Sequence, residues 1–402
     1  MNLSTVKRSS LAILLVAAVT AVLALFGSGA VASAATGKST WVIGNVGTYS
    51  GDNASPFAGS GAVIQAWVDW TNAHGGIDGH QLKLIEKDDA GVPSTSVNEV
   101  KQLINQDHVL ALVGMNSGVE ANWGAYVQST GVPVVGGSTP IPDFFMKSDF
   151  YPSGTTANES VADLLLYAKQ KLHNTVGGFL YCVEAPVCAQ LQPVYAGAYK
   201  AIGGKLAYSS SFSSTAPSYA AQCLAAKKDG VQDLEIAGPS PATVKIAQDC
   251  AALGYHPTLL LNAVSLTPQI SKELGSTKAI YTADSFPFSY TKGPAADFYQ
   301  ALKKYEPSVL NAANFTEIDA SDWVAGQIFA AAAKAGNLGN NPTPAQLVAG
   351  LDKLHKTTLG GLSQPITYTK GKPSTVSCVF VMSQKNGTIA TPNGLKPFCP
   401  SA

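Results

Sequence analysis

The sequence predicts an α/β protein of two lobes, each a mostly parallel sheet covered by helices. Three observations carry that expectation. Strand patterns alternate with helical ones from residue 41 onward, as in parallel sheets with helices on both faces. The alternation restarts after residue 152. Of 402 residues, 34 read as an export signal, and the remaining 368 exceed the ~250–300 at which a single core stops growing.

The elements follow in order. Residues 41–46 form a short buried-strand pattern, and a loop rich in Gly, Ser and Asn runs to Ser55. Ser55-Pro56 suits an N-cap and first helical position. Val63, Trp67 and Trp70 then recur at helical spacing. Gly75-Gly76-Ile77-Asp78-Gly79 is a turn, and 82–87 a second strand. A helix from Ser94 or Ser96 puts Val97, Val100 and Ile104 on one face. Residues 109–113 read as a third strand and 131–135 lead into a fourth. The second set has a helix over 158–172, a strand over 176–181 and a helix over 187–202. Strands over 205–212 and 233–237 flank a helix bearing Cys223. Ser240-Pro241 caps a helix that stops at Gly254, and 258–261 and 279–283 are further strands. Helices over 294–305, 320–335 and 344–354 follow. The tail over 365–382 alternates like strands, with a turn at Asn386-Gly387.

Lys7 and Arg8, the apolar run 11–26 and Ala32-Ser33-Ala34 have the order of a secretory signal cleaved after Ala34. The 16-residue run is shorter than the ~20 residues that span a bilayer. No cysteine lies near the cleavage site, so a lipid anchor is not expected. The mature chain carries 24 basic and 26 acidic residues, a net of −2. That balance leaves no electrostatic footprint for nucleic acid or anionic lipid. Charged residues are only 13%, about half the usual share, so the surface must rely on Ser, Thr, Asn, Gln and Gly. Cys182, Cys188, Cys223, Cys250, Cys378 and Cys399 are an even set for an oxidising compartment. Six cysteines allow about 15 pairings, and spacing does not choose among them. Nearest neighbours would give 182–188, 223–250 and 378–399. No Cys-x-x-Cys or His-x-x-x-His spacing favours a metal.

The order of motifs resembles the type I periplasmic binding proteins, in the branch of the leucine/isoleucine/valine-binding proteins of ABC importers. Gly47-Thr48-Tyr49-Ser50-Gly51, Asn72-Ala73-His74-Gly75-Gly76-Ile77-Asp78-Gly79, Lys87-Asp88-Asp89-Ala90 and Leu112-Val113-Gly114 carry the likeness. Ala335-Gly336 and Gly361-Leu362-Ser363-Gln364-Pro365-Ile366-Thr367-Tyr368 match the family's ending. The resemblance implies two lobes joined by three hinge crossovers. Lobe one would hold 40–152 and 285–362, and lobe two 153–284 and 363–402. All six cysteines would then lie in lobe two, leaving the hinge free.

Ligands of open α/β sheets sit at the carboxyl ends of strands. In lobe one those loops offer Tyr49, Ser50, Asn116, Ser117, Gly137, Ser138 and Thr139. Lobe two offers Tyr181, Glu184, Ser240 and Asn262, with Phe286 near the hinge. The short polar residues equally make turns and caps, and Trp123, Phe286 and Phe288 equally pack a core. Glu184 is the one acid that clearly belongs to the set, with Asp52 and Asp284 behind it. Amino-acid-binding relatives place an acid where Asn262-Ala263 stands and an aromatic where Pro239 stands. An ammonium buried without a partner costs several kcal/mol. The resemblance therefore implies an α-amino acid if Glu184 receives the ammonium, and otherwise an amide or carboxylate-bearing metabolite.

The function expected is that of an exported, monomeric, cofactor-free receptor serving an ABC permease, in the periplasm or the cell-wall space. A ligand sensor docking on a membrane receptor is the alternative. A secreted hydrolase finds little support: there is no G-x-S-x-G elbow and the six histidines are scattered. Gly37-Lys38-Ser39-Thr40 precedes its strand and lacks the first glycine of a phosphate loop.

Overall fold

The structure, a computed structural model, describes residues 38–51, 54, 57–137, 143–184, 186–374 and 376–400. The signal segment, Ser55-Pro56, and Ser138 and Thr139 lie outside these residues.

The first sheet is built by β1 (Trp41–Gly47), α1 (Ser60–Ala73), β2 (Leu82–Asp88), α2 (Pro93–Asn105), β3 (Leu112–Met115), α3 (Gly124–Thr130), β4 (Val134–Gly137), α4 (Asp143–Met146) and β5 (Phe150–Tyr151). Its strand order is β2-β1-β3-β4-β5, and every pair is parallel. Both faces are buried. Val134 and Val135 are adjacent in β4 yet enter different core clusters, as the two-residue period of a strand requires. One cluster holds Val100 and Leu103 of α2 with Trp123 and Val127. The other holds Val63 and Trp67 of α1.

The second sheet is built by α5 (Ala157–Leu172), β6 (Val176–Cys182), α6 (Pro186–Gln190), α7 (Gln192–Ala201), β7 (Lys205–Phe212), α8 (Ala220–Lys228), β8 (Asp233–Ala237), α9 (Ser240–Ala252), β9 (Thr258–Asn262), α10 (Pro268–Leu274) and β10 (Ala279–Ala283). The chain then forms α11 (Ala296–Tyr305), α12 (Pro307–Leu310), α13 (Glu317–Gly336) and α14 (Pro344–Leu351). It ends with β11 (Phe380–Lys385) and β12 (Thr388–Ala390). The order is β12-β11-β10-β9-β8-β6-β7. Strands β6 to β10 pair in parallel, and β11 and β12 extend the edge antiparallel.

α13 returns to the first sheet, packing on β3, β4 and α1. Two glycines permit its approach. A Cβ on Gly326 would collide with the Trp67 ring, and one on Gly136 with Ala325. Thr316 and Asp319 form a capping box at its start, so the helix begins at Glu317 rather than Ala320. Pro193 sits in the first turn of α7, and the expected 187–202 helix divides there, because proline lacks an N–H and clashes inside a helix. The third and fourth strands lie two to three residues later than their apolar runs suggest. The tail is strand only from Phe380; before it, Pro365 and Pro373 withhold ladder donors. Asn386 and Gly387 both adopt positive φ, 54° and 69°, making the tight turn between β11 and β12.

The disulfides join Cys182 to Cys188, Cys223 to Cys250 and Cys378 to Cys399. The first joins β6 to α6 and the second α8 to α9; the third joins the residues before β11 to those after β12. Among the described residues no helix is long and apolar enough to cross a membrane.

Candidate functional site

Each sheet repeats one topology. In β2-β1-β3-β4-β5 and in β7-β6-β8-β9-β10 the order reverses between the first strand and its non-consecutive neighbour. Connections after these two strands run to opposite faces, which opens a crevice at their carboxyl ends. The switch points lie between β1 and β3 and between β6 and β8. Two crossings between the sheets leave from carboxyl ends, after Tyr151 of β5 and after Ala283 of β10. The carboxyl ends of both sheets therefore meet at the hinge.

Three crossing segments are tied together there. Ser153 and Ser321 share a hydrogen bond of 3.1 Å. Ser285 donates to Glu317 at 3.0 Å, and the Phe286 N–H donates to the Leu362 carbonyl at 3.0 Å. Tyr368 donates to the Pro152 carbonyl at 2.7 Å. Phe286 is fully buried and packs edge-on against Phe298 at 5.4 Å, which places it in the hinge core.

In lobe one, Tyr49 and Ser50 sit at the switch point. Their N–H groups donate to Asp88 Oδ1 at 3.0 and 3.3 Å, and the Ala90 N–H donates to the same oxygen at 2.9 Å. Burial pushes the Asp88 carboxyl up, but hydrogen bonds from Ser50, Ala90 and Tyr49 outweigh it and hold it below the ordinary range. Asp89 accepts from Thr48 and from the Gly91 N–H, both at 2.8 Å. The Tyr49 hydroxyl turns back onto Asn45, while Ser50 is exposed.

Asn116 and Ser117 are buried. Asn116 donates to Ser60 at 3.1 Å and to Asp322 of α13. The Ser117 N–H donates to Glu120 at 2.6 Å. Burial pushes the Asp322 carboxyl well up from its ordinary value and Glu120 up to about 8. Gly137 ends β4 with φ 129°, a conformation suited to glycine.

In lobe two, Tyr181 is half-buried and stacks on Phe179 at 5.8 Å. Glu184 is fully exposed and accepts from Ser213 at 2.9 Å and from the Ser214 N–H at 2.8 Å. Those bonds hold its carboxyl below the ordinary range. Ser240 does not cap α9: the cap position is Pro239, and no side chain caps the helix. Pro239, fixed in extended backbone, already presets the turn. Asn262 accepts from the Val264 N–H at 3.0 Å, and the turn after it touches α13. Glu317, in the first turn of α13, is pushed up by burial and by the neighbouring Asp284.

The structure thus brings Tyr49, Ser50, Asn116 and Ser117 together at one switch point and Tyr181, Glu184 and Ser240 around the other. Asp88, Asp89, Glu120 and Asp322 support the first, a role that residue type alone does not reveal. Lys87-Asp88-Asp89-Ala90 was visible as a motif; Asp322 carried no local signal. Among the described residues no group of three or more His, Cys, Asp or Glu could hold a metal ion.

A segment of 73 residues is 37% identical to an amino acid binding protein of Pseudomonas aeruginosa; it covers 18% of this chain and only 20% of that relative. A branched-chain amino acid ABC transporter protein of Thermus thermophilus, solved with bound valine, superposes with a TM-score of 0.73 at 13% identity. The match covers 91% of this chain and 98% of that one. The substrate-binding protein LivJ of Streptococcus pneumoniae, in complex with isoleucine, gives 0.68 at 18% identity, covering 87% and 97%. The extracellular ligand-binding receptor of Verminephrobacter eiseniae gives 0.69 at 20% identity, covering 88% and 100%. At such identities the likeness concerns the two-lobed fold. The model of the family described as periplasmic binding protein matches residues 40–388, and the chain belongs to that family.

Proposed function

We propose that this protein is an exported receptor that captures a small polar metabolite between its lobes and delivers it to the permease of an ABC importer. The ligand is an amino acid, an amide or a carboxylate-bearing compound. One observation carries the reading: both sheets turn a switch-point crevice toward one three-stranded hinge. Lobe one comprises 40–152 and 285–362, and lobe two 153–284 and 363–402. In this reading Ser50 and Gly137, with Ser138 and Thr139 next in sequence, supply ligand contacts from lobe one, and Tyr181, Ser240 and Asn262 supply them from lobe two. Only the closed form touches ligand with both lobes, so binding energy drives closure. The binding of valine and isoleucine by two structural neighbours supports an amino acid as the first compound to try.

The test is titration calorimetry of unfolded-and-refolded, ligand-free protein against L-amino acids, their amides and small carboxylates, with X-ray scattering to follow compaction. Saturable one-to-one binding with a smaller radius of gyration is expected. A protein that binds none of these and never compacts would falsify the proposal.

A further inference from the structure

A cavity of about 600 Å³ opens at the β5 edge of the first sheet, beside the hinge crossings. That volume lies in the range of small-molecule sites. Tyr151, 2% exposed, lines it, and its hydroxyl makes no hydrogen bond among the described residues. The ring is held edge-on to Tyr368 at 5.1 Å. Asp149 and Asp352 line the same cavity, and both carboxylates act on that hydroxyl electrostatically. Neither Asp149 oxygen, nor Asp352 Oδ1, has a hydrogen-bond partner. Among the described residues neither carboxylate has a basic nitrogen within 4.0 Å. Lys147 and Lys370 are near enough only to offset them partly, and Lys147 leans instead to Gln128 at 3.4 Å.

Two helices end here as well. Gly131 is the C-cap of α3 and Asp352 the C-cap of α14. A helix carboxyl end carries partial negative charge, so an aspartate there is repelled unless a cation joins it. An aliphatic part of the lining comes from Ala345, Val348 and Ala349 of α14, the helix that Asp352 ends.

We propose that this cavity binds a small organic cation, a primary ammonium on a short branched aliphatic body. The ammonium enters between Asp149 and Asp352 and also donates to the Tyr151 hydroxyl oxygen. The aliphatic body lies on Val348. The site is separate from the cleft between the lobes and does not depend on what the cleft binds.

The probes are 3-methylbutylamine and its neutral isostere 3-methylbutanol, followed by ligand-observed NMR on the mature chain at neutral pH. The amine is expected to bind and the alcohol not. Asp149→Asn and Asp352→Asn each weaken the amine at least tenfold, and Val348→Trp, which fills the cavity, removes it. Circular dichroism and thermal melting show which variants are folded, and any one folded variant suffices. No amine binding to the unaltered chain, equal binding of the alcohol, or amine binding that survives in the folded variants overturns the proposal. Survival in Val348→Trp would assign the amine to the cleft.

Discussion

Glu120 offers a quantitative test of how lobe one supports its loop. Its side chain is fully buried, one oxygen accepts from the Ser117 N–H at 2.6 Å and the other has no partner. Burial raises its pKa from 4.5 to about 8, against the Ser117 hydrogen bond. The folded state therefore holds this proton more tightly than the unfolded chain. Stability contributed by the protonated form is present below pH about 4.5 and is lost as pH rises, levelling off above about 8. One pKa unit is worth about 1.4 kcal/mol, so linkage removes roughly 3 kcal/mol between pH 5 and pH 8. Glu120→Gln keeps an acceptor for Ser117 but cannot ionise. The variant leaves an amide N–H group unsatisfied, which costs about 1–3 kcal/mol at every pH. All five tryptophans, Trp41, Trp67, Trp70, Trp123 and Trp323, pack around the first sheet, so urea unfolding followed by their fluorescence reports on lobe one. Other buried acids, Asp319 with a pKa of about 7 among them, act equally in both proteins and cancel in the difference. The variant should trail the parent at pH 5 and gain roughly 3 kcal/mol on it by pH 8. Curves that stay parallel to within about 1 kcal/mol would refute the assignment of a buried, protonated Glu120.

Three further outcomes are expected. Glu184→Gln should leave ligand affinity within about twofold, because Ser213 and Ser214 already occupy its carboxylate; a tenfold loss by calorimetry would make it a ligand contact. Asp88→Ala strips an acceptor from three N–H groups, each such bond to a charged group being worth about 1.5–3 kcal/mol. Faster amide exchange at Tyr49 and Ser50 and weaker ligand binding should follow together, and unchanged exchange would discount the aspartate. Replacing Cys223 and Cys250 by alanine should lower stability by about 3 kcal/mol yet leave ligand-induced compaction intact, since that bridge joins α8 to α9.

Much of the fold was legible because its breaks are marked locally. The strands over 205–212, 233–237 and 279–283 have the bounds read from the sequence; they run as β-rich segments into Ser213, Gly238 and Asp284-Ser285. The apolar run of the third strand begins before the strand itself, because Val109 and Leu110 are as apolar as its residues yet pack from the preceding turn. The site was legible only as loops. The partners of those loops lie far along the chain: Tyr49 is 39 positions from Asp88, and Asn116 is 206 from Asp322. No local pattern encodes such a pair. Glu184 shows the converse, an acid in the right loop whose charge is claimed by backbone and hydroxyl 29 and 30 positions away.

The two switch points share a topology but are held by different chemistry. In lobe one the loops are fastened by carboxylates: Asp88 and Asp89 gather N–H groups and a hydroxyl, and Glu120 takes the Ser117 N–H. In lobe two the loop after β6 is fastened covalently by Cys182–Cys188, and Glu184 within it is tied to the loop after β7. Either device orders the loop before ligand arrives, which lowers the entropy that binding must overcome. Among the described residues no disulfide crosses the hinge; Glu317 takes the Ser285 hydroxyl there, and neutral hydrogen bonds such as Ser153 to Ser321 and Tyr368 to Pro152 span it. Each of these is worth about 1 kcal/mol net, small enough to exchange during closure. In the proposed receptor, rigid half-sites on a soft hinge let ligand contacts bring the lobes together rather than shape either one.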